Sequence, residues 1–321
     1  MSELTPLAPG RGPSFGIATA PAQVAYDDLV RVWREADTIP QIEHAWLYDH
    51  LMPIFGDPDG PAFEGWTLLA ALAAQTERLR LGLLVTSNRF RPPAMLAKIA
   101  AGVDVISGGR LEFGIGAGSN LTVPIARREY EAHGLPFHDA ADAVGSLAEA
   151  CAVITRLWTE SAPFDFHGSY HQLAGAFCNP KPVQRPRPPV TIGGRSTPTL
   201  RVVARYADRW NMPGGSIGDA AERSAALDRL CAEIGRDPAE ITRSVILPAS
   251  YDRPGATRSA IGAALDAGFS HIVLSLGAPY PAQAARCAWA ASMRASSDRS
   301  TATPAPASLT PSDSSAARHS P

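Results

Sequence analysis

Few side chains in this sequence are placed to do chemistry near neutral pH, and they fall at the ends of apolar runs. Asp49 and His50 close the run 44–50. Histidine is the one side chain that ordinarily titrates near neutrality, so a carboxylate beside it could form a proton-handling pair. The residues alone equally allow a polar pair that closes a strand, and favour it. Thr86, Ser87 and Asn88 follow the apolar run 79–85 and lead into Arg89-Phe90-Arg91-Pro92-Pro93. That turn could reach an anionic ligand or be a solvated helix entrance. Gly116, Ala117, Gly118, Ser119 and Asn120 follow the run 111–115. Gly193-Gly194-Arg195-Ser196-Thr197-Pro198 follows the run 189–192. In this last turn the glycines let backbone approach a ligand closely, and Ser196 or Thr197 caps a helix with proline in its first turn. Free N–H groups at that helix start would hold a phosphate, with Arg195 adding charge. An ordinary capped strand-to-helix turn accounts for the same residues equally well.

Other chemistries lack their residues. There is no HxH or HExxH, so no catalytic metal is expected, and no GxSxG elbow for a serine hydrolase. Gly114-x-Gly116-x-Gly118 lies within and at the end of a strand rather than opening a helix, which argues against a dinucleotide-binding fingerprint. Cys151, Cys178, Cys231 and Cys287 are scattered and read as reduced cysteines of a cytoplasmic protein. His44 and His271 sit at strand starts and read as structural. His167 and His171 read as surface residues.

The elements that must position these residues alternate regularly. Strands are expected at 15–18, 44–50, 79–85, 111–115, 189–192, 209–212, 245–247 and 271–276. Helices follow each of them, the last from about 281 to 293. The run 26–37 has apolar Leu29, Val30, Val32 and Trp33 among charges, and Pro40 ends it. Met95, Ile99, Val103 and Ile106 recur at helical spacing, with Lys98 and Asp104 between them, and are expected to form the inner face of the third helix. Between Asn120 and Pro189 the pattern loosens into an excursion. It holds a helix with Val144, Leu147, Cys151, Ile154 and Leu157 on one face, then a hairpin within 164–171 and a proline-rich connector. Eight strand–helix pairs predict an α/β fold, a closed (β/α)8 TIM-type barrel with an insertion between strands four and five. In such a barrel every polar strand end above meets at one mouth.

Length and composition agree. The 321 residues, 45% hydrophobic, can bury a large core. A net charge of −2 favours neither nucleic acid nor an anionic membrane. No basic-then-apolar leader opens the chain, and no run approaches the ~20 apolar residues of a membrane span. Residues 1–13 are expected to be an arm, 14–294 the barrel domain, and the Ser/Thr/Ala/Pro-rich segment 295–321 a disordered tail.

Four segments, WLYDH, VTSNRFRPPAMLAK, GGRLEFGIGAG and PVTIGG with TLRVVARYADRWN, occur in order over roughly residues 14–290. Together they resemble the luciferase-like flavin oxidoreductases, and more narrowly the subgroup that uses the deazaflavin coenzyme F-420. The resemblance implies a TIM-type barrel and hydride transfer between F-420 and a small organic substrate. Alternatives within and beyond that reading are an FMN-dependent monooxygenase using dioxygen, and a non-catalytic flavin- or partner-binding barrel. It implies that Asp49 contacts the ring edge and that His50 is the catalytic acid/base. Ser87-Asn88 would carry a non-prolyl cis peptide behind the ring. Thr86 and Asn120 would bind the ring or ribityl chain, and Gly193, Gly194 and Arg195 the cofactor phosphate. Such proteins often form homodimers through barrel helices. Two positions depart from the pattern. Ile54 stands where relatives often have tryptophan, and Ser119 where they have glutamate, leaving His50 without an expected partner.

Overall fold

The structure, a computed structural model, describes residues 12–120, 122–136 and 139–288. Its elements run β1 (Ser14–Thr19), α1 (Tyr26–Asp37), β2 (Ile42–Leu47), α2 (Gly65–Gln75), β3 (Arg80–Leu83), a short β4 (Thr86–Ser87), α3 (Pro93–Ile106) and β5 (Leu111–Gly116). Then come α4 (Pro124–Ala132), α5 (Ala140–Thr159), a hairpin of β6 (Phe164–His167) and β7 (Gln172–Ala176), and β8 (Val190–Gly193). The chain continues through α6 (Thr197–Tyr206), β9 (Arg209–Met212), α7 (Ile217–Glu233), β10 (Thr242–Pro248), α8 (Pro254–Asp266) and β11 (His271–Ser275). All barrel pairings are parallel, and β11 pairs back onto β1, so the sheet closes on itself as an eight-stranded (β/α)8 barrel. β3 and β4 together occupy one strand position beside β5. The expected arm and tail lie largely outside the described residues, and of the last helix only residues 284–288 are described. No helix among the described residues is long and apolar enough to cross a membrane.

The apolar runs behave as strands covered on both faces: every residue of β5 and β9 is buried. α5 packs against α3 and α6, which makes it the fourth barrel helix. The insertion proper is therefore α4 before it and the β6–β7 hairpin after it. The hairpin's second strand lies beyond the expected span, at Gln172–Ala176. Cys151, Cys178 and Cys231 are buried, Cys287 is exposed, and all four are free thiols.

One helix face differs in part from expectation: Val103 is buried and Ile99 packs on the core, but Met95 and Ile106 do not. α3 turns Leu96, Ala97, Ala100, Ala101, Val103 and Asp104 inward, whereas Met95 and Ile106 are more than half exposed. Small alanines let the helix lie close on the strands beneath. Asp104 is buried because its carboxylate accepts from the backbone N–H of Val183 and Gln184, at 2.7 and 3.1 Å, and from the Gln184 amide at 2.7 Å. A buried carboxylate with that many donors is satisfied without a countercharge.

Candidate active site

β2 ends at Leu47, and Asp49 and His50 follow it at the mouth. Asp49 is buried, with both oxygens taken. Arg91 grips it bidentately at 2.7 and 3.1 Å, and the Thr86 hydroxyl donates to it. The other side of the Arg91 fork holds Glu64, which also caps α2 through the backbone N–H of Trp66 and Thr67. The indole of Trp66 donates to Thr86 Oγ1 at 3.2 Å. Burial pulls the Arg91 pKa down, but the Asp49 and Glu64 carboxylates more than offset it and the net shift is upward. Burial likewise raises that of Glu64, and the Thr67 and Arg91 hydrogen bonds outweigh it and hold the carboxyl below its usual range. The arginine of the Arg89-Phe90-Arg91 turn is thus a fixed strut joining β2, β4 and the start of α2.

His50 has a partner that the sequence did not disclose. Its Nδ1 lies 3.2 and 3.1 Å from the two carboxylate oxygens of Glu129, on α4. Glu129 is fully buried, and its Oε1 also accepts from the backbone N–H of Leu51 at 2.6 Å. An ionised carboxylate can only accept, so Nδ1 carries the hydrogen. Nε2 is left as the acceptor of the neutral ring, and the His50 side chain keeps 25% of its surface exposed. Glu129 sits in the charged run Arg127-Arg128-Glu129-Tyr130-Glu131. Only the spacing of buried Ala126, Glu129 and Tyr130 marks it as inward-facing.

The non-prolyl cis peptide is at Leu84–Val85, which corrects the expectation of Ser87–Asn88. The physical reason lies in the neighbouring strands. A Cβ on Gly116 would stand 2.8 Å from a Val85 methyl, and one on Gly193 would stand 3.1 Å from both. These glycines leave room for Val85. Ser87 is instead regular sheet, paired with Gly116, and the Asn88 N–H donates to the Gly116 carbonyl at 2.9 Å.

Gly116 pairs with Ser87 on one side and Gly193 on the other, so these strand ends adjoin. Ser87 Oγ is 3.0 Å from the Tyr130 hydroxyl, and the Asn88 amide donates to Ser146 Oγ at 3.0 Å, which in turn is 3.1 Å from His171 Nε2. His171 is therefore part-buried, whereas His167 lies at the surface. Asn88 Oδ1 and, on the next residue, Arg89 Nε and Nη1 are buried without a hydrogen-bond partner. The Arg89 guanidinium stands 5.8 Å from the Tyr130 ring centre. Gly194 lies against Thr199 with φ at +152°, Ser196 caps α6, and Arg195 is exposed. Asn120 is exposed beyond β5 and closes its own turn, its Oδ1 accepting from the Thr122 N–H and hydroxyl. Across the mouth, Tyr48 and Ser275 share a 2.8 Å hydrogen bond.

A closed parallel barrel with a buried-acid–histidine pair and polar strand ends gathered at its C-terminal face is built as α/β-barrel enzymes are. The chain belongs to the luciferase-like monooxygenase family, whose model matches residues 11–311. It is 33% identical over 221 residues to "Uncharacterized protein Rv0940c" of Mycobacterium tuberculosis, covering 68% of this chain and 70% of that protein. It is 30% identical over 207 residues to a phthiodiolone/phenolphthiodiolone dimycocerosates ketoreductase of a Mycobacterium species, covering 63% of this chain and 51% of the relative. Among solved structures, the coenzyme F420-dependent tetrahydromethanopterin reductase of Methanopyrus kandleri superposes with a TM-score of 0.72 at 17% identity, covering 87% of this chain and 96% of that one. Monooxygenase RslO1 of Streptomyces bottropensis does so with 0.69 at 20%, covering 89% and 99%. At those identities the likeness is one of fold.

Proposed function

We propose that this protein is an F-420-dependent oxidoreductase that moves a hydride between the deazaflavin and a small organic substrate, with His50 handling the substrate proton. The observation that carries the reading is the His50–Glu129 pair. Glu129 holds the hydrogen on Nδ1, so Nε2 is the nitrogen free to take a proton from a substrate hydroxyl, and the buried carboxylate stabilises the imidazolium that results. In the reverse direction the same nitrogen returns the proton.

The residues at the mouth suit such a cofactor. Asn88 Oδ1 is a buried acceptor without a donor, and Arg89 offers buried donors without an acceptor. A flavin-like group carries both kinds of partner on its ring edge, polyol chain and phosphate. Thr86, Ser87, Asn88 and Asn120 would hold ring and ribityl chain, and Gly193, Gly194 and Arg195 the phosphate. Asp49 contributes indirectly in this reading: with both oxygens on Arg91 and Thr86, it fixes the Thr86 hydroxyl rather than presenting a free carboxylate. When bound, F-420 supplies the hydride chemistry at its deazaflavin ring. The ketoreductase name of one relative supports a carbonyl–alcohol pair as the substrate class.

The test is a titration of the purified protein with oxidised F-420 and with oxidised FMN, followed by absorbance or fluorescence. F-420 is expected to bind. Micromolar binding of FMN alone would replace the proposal with an FMN-dependent monooxygenase, and binding of neither would leave a non-catalytic barrel. His50→Ala is expected to keep cofactor affinity and lower turnover by about 10²–10⁴. Unchanged turnover would remove His50 from the mechanism.

A further inference from the structure

The opposite end of the barrel has a polar interior that this reaction does not use. Glu112, buried in β5, pairs with Arg80 on β3 and with Arg209 on β9, the latter at 2.6 Å. Two guanidinium groups share this one carboxylate. Arg80 keeps 24% of its side-chain surface exposed and can be solvated, whereas Arg209 keeps 4%. The Nε of Arg209 has no hydrogen-bond partner.

Next to it the rings of His44 and His271 stack, with centres 3.9 Å apart and planes 12° apart. The hydrogen of His44 can be placed by elimination, and that of His271 follows if its serine neighbour donates. The Trp46 indole, a donor only, lies 2.7 Å from His44 Nδ1, which must accept, so the hydrogen of the neutral ring is on Nε2. The Asn211 amide donates to Ser244 Oγ at 3.0 Å, which frees the serine hydrogen to point at His271 Nδ1, 2.8 Å away. The hydrogen of His271 is then also on Nε2. His271 Nε2 is buried without a partner, whereas the His44 ring has the Ser14 backbone beside it. Two unpaired buried donors, Arg209 Nε and His271 Nε2, are what a bound anion would satisfy.

Arg209 and His271 open onto a cavity of about 1180 Å³ among the strand starts, with Ser14, Thr242, Arg243 and Ser270 also on its wall. Its acidic residues each have a partner on or beside the same wall. Asp228 pairs with Arg243, Glu240 with Arg236, and Glu43 accepts from the Ser14 hydroxyl at 3.2 Å. The space exceeds what a simple ion fills and is somewhat larger than a typical small-molecule site of about 300–1,000 Å³.

We propose that the N-terminal end of the barrel is a second binding site, for a small organic anion whose carboxylate or phosphate group rests on Arg209 Nε and His271 Nε2. The site is separate from the mouth and uses none of its residues. An anion there links β9 to β11 by pairing the buried donors of both strands, so it stabilises the folded barrel.

The test uses full-length protein labelled with ¹⁵N at histidine, titrated with inorganic phosphate or acetate at ionic strength held constant with chloride. Saturable shifts of the His44 and His271 Nε2–H resonances by at least one probe are expected, with a rise in the unfolding temperature. The stronger probe distinguishes a phosphate ligand from a carboxylate one. His50→Ala should leave the response intact, and His271→Phe should weaken it at least tenfold. The wild-type spectrum decides by itself if His271→Phe does not fold. No saturable shift with either probe, or shifts confined to His50 or to exposed histidines such as His167, would overturn the proposal.

Discussion

Glu129 decides which nitrogen of His50 is available, and that is a matter of charge as well as geometry. Glu129→Gln keeps an oxygen for the Leu51 N–H but removes the negative charge beside the ring. It is expected to lower kcat about 10²-fold with cofactor affinity unchanged, whereas Glu131→Gln, on the exposed side of the same helix, leaves kcat as it is. Steady-state kinetics of the two variants check this, and equal kcat in both would show that Glu129 only holds the loop. The position of Asp49 and His50 at the mouth was legible in sequence because they stand side by side after an apolar run, but they do not form the pair their adjacency suggested. Glu129 was not, because in a charged helix nothing local says which acid is buried. That Asp49 serves Arg91 was also hidden, since the residues are 42 positions apart.

Between β3 and β4 the chain leaves regular strand geometry at Leu84–Val85, and the adjoining strands accommodate it by lacking side chains at Gly116 and Gly193. Gly116→Ala is expected to cost about 1–3 kcal/mol, as overpacking does, and Gly193→Ala less, because its new methyl has more room. Gly102, inside α3 with open space around it, is the control: alanine there should stabilise by about 0.5–1 kcal/mol. Denaturant unfolding of the three variants tests the order. The glycines were visible in sequence, but their use was not. A glycine records that something comes close, not whether it is a ligand or a neighbouring valine. The inner face of α3 was misjudged for a related reason. Helices lying on a parallel sheet bury small residues, and a scan for large apolar ones selects Met95 and Ile106, which face outward.

The closed barrel itself was legible, because eight strand–helix repeats leave few other ways to cover every apolar run. The polar base was not, since a charge within an apolar strand looks the same whether it faces the barrel axis or a strand end. That base has a consequence for stability. Burial first, and then the charge of Arg209, lower the pKa of both His44 and His271, that of His44 from its ordinary 6.5 to about 3. As pH falls below about 6.5 the unfolded chain takes up protons that the folded one refuses. Stability is therefore lost with falling pH in that window, by about 1.4 kcal/mol per pH unit for each histidine. Glu112 behaves differently. Burial raises its pKa, but Arg209 and Arg80 outweigh this and hold it near 2, so its contribution is lost only as pH falls from about 4.5 toward 2. In phosphate-free buffer, unfolding free energy is expected to decline between pH 6.5 and 5. His44→Gln, which keeps an acceptor for Trp46, should roughly halve the slope. An unchanged slope would show that His44 is not held neutral.

The inserted helix α4 supplies Glu129, so the acid–base pair is completed by two pieces of chain 79 residues apart, only one of which belongs to the barrel's repeating pattern. A molecule whose strands have closed while α4 is undocked would have its strand ends in place but no buried carboxylate to choose the tautomer of His50. A segment outside the barrel's repeats is thus also the one that sets the tautomer of His50. Changes to the insertion are constrained by the need to return one carboxylate to one ring nitrogen.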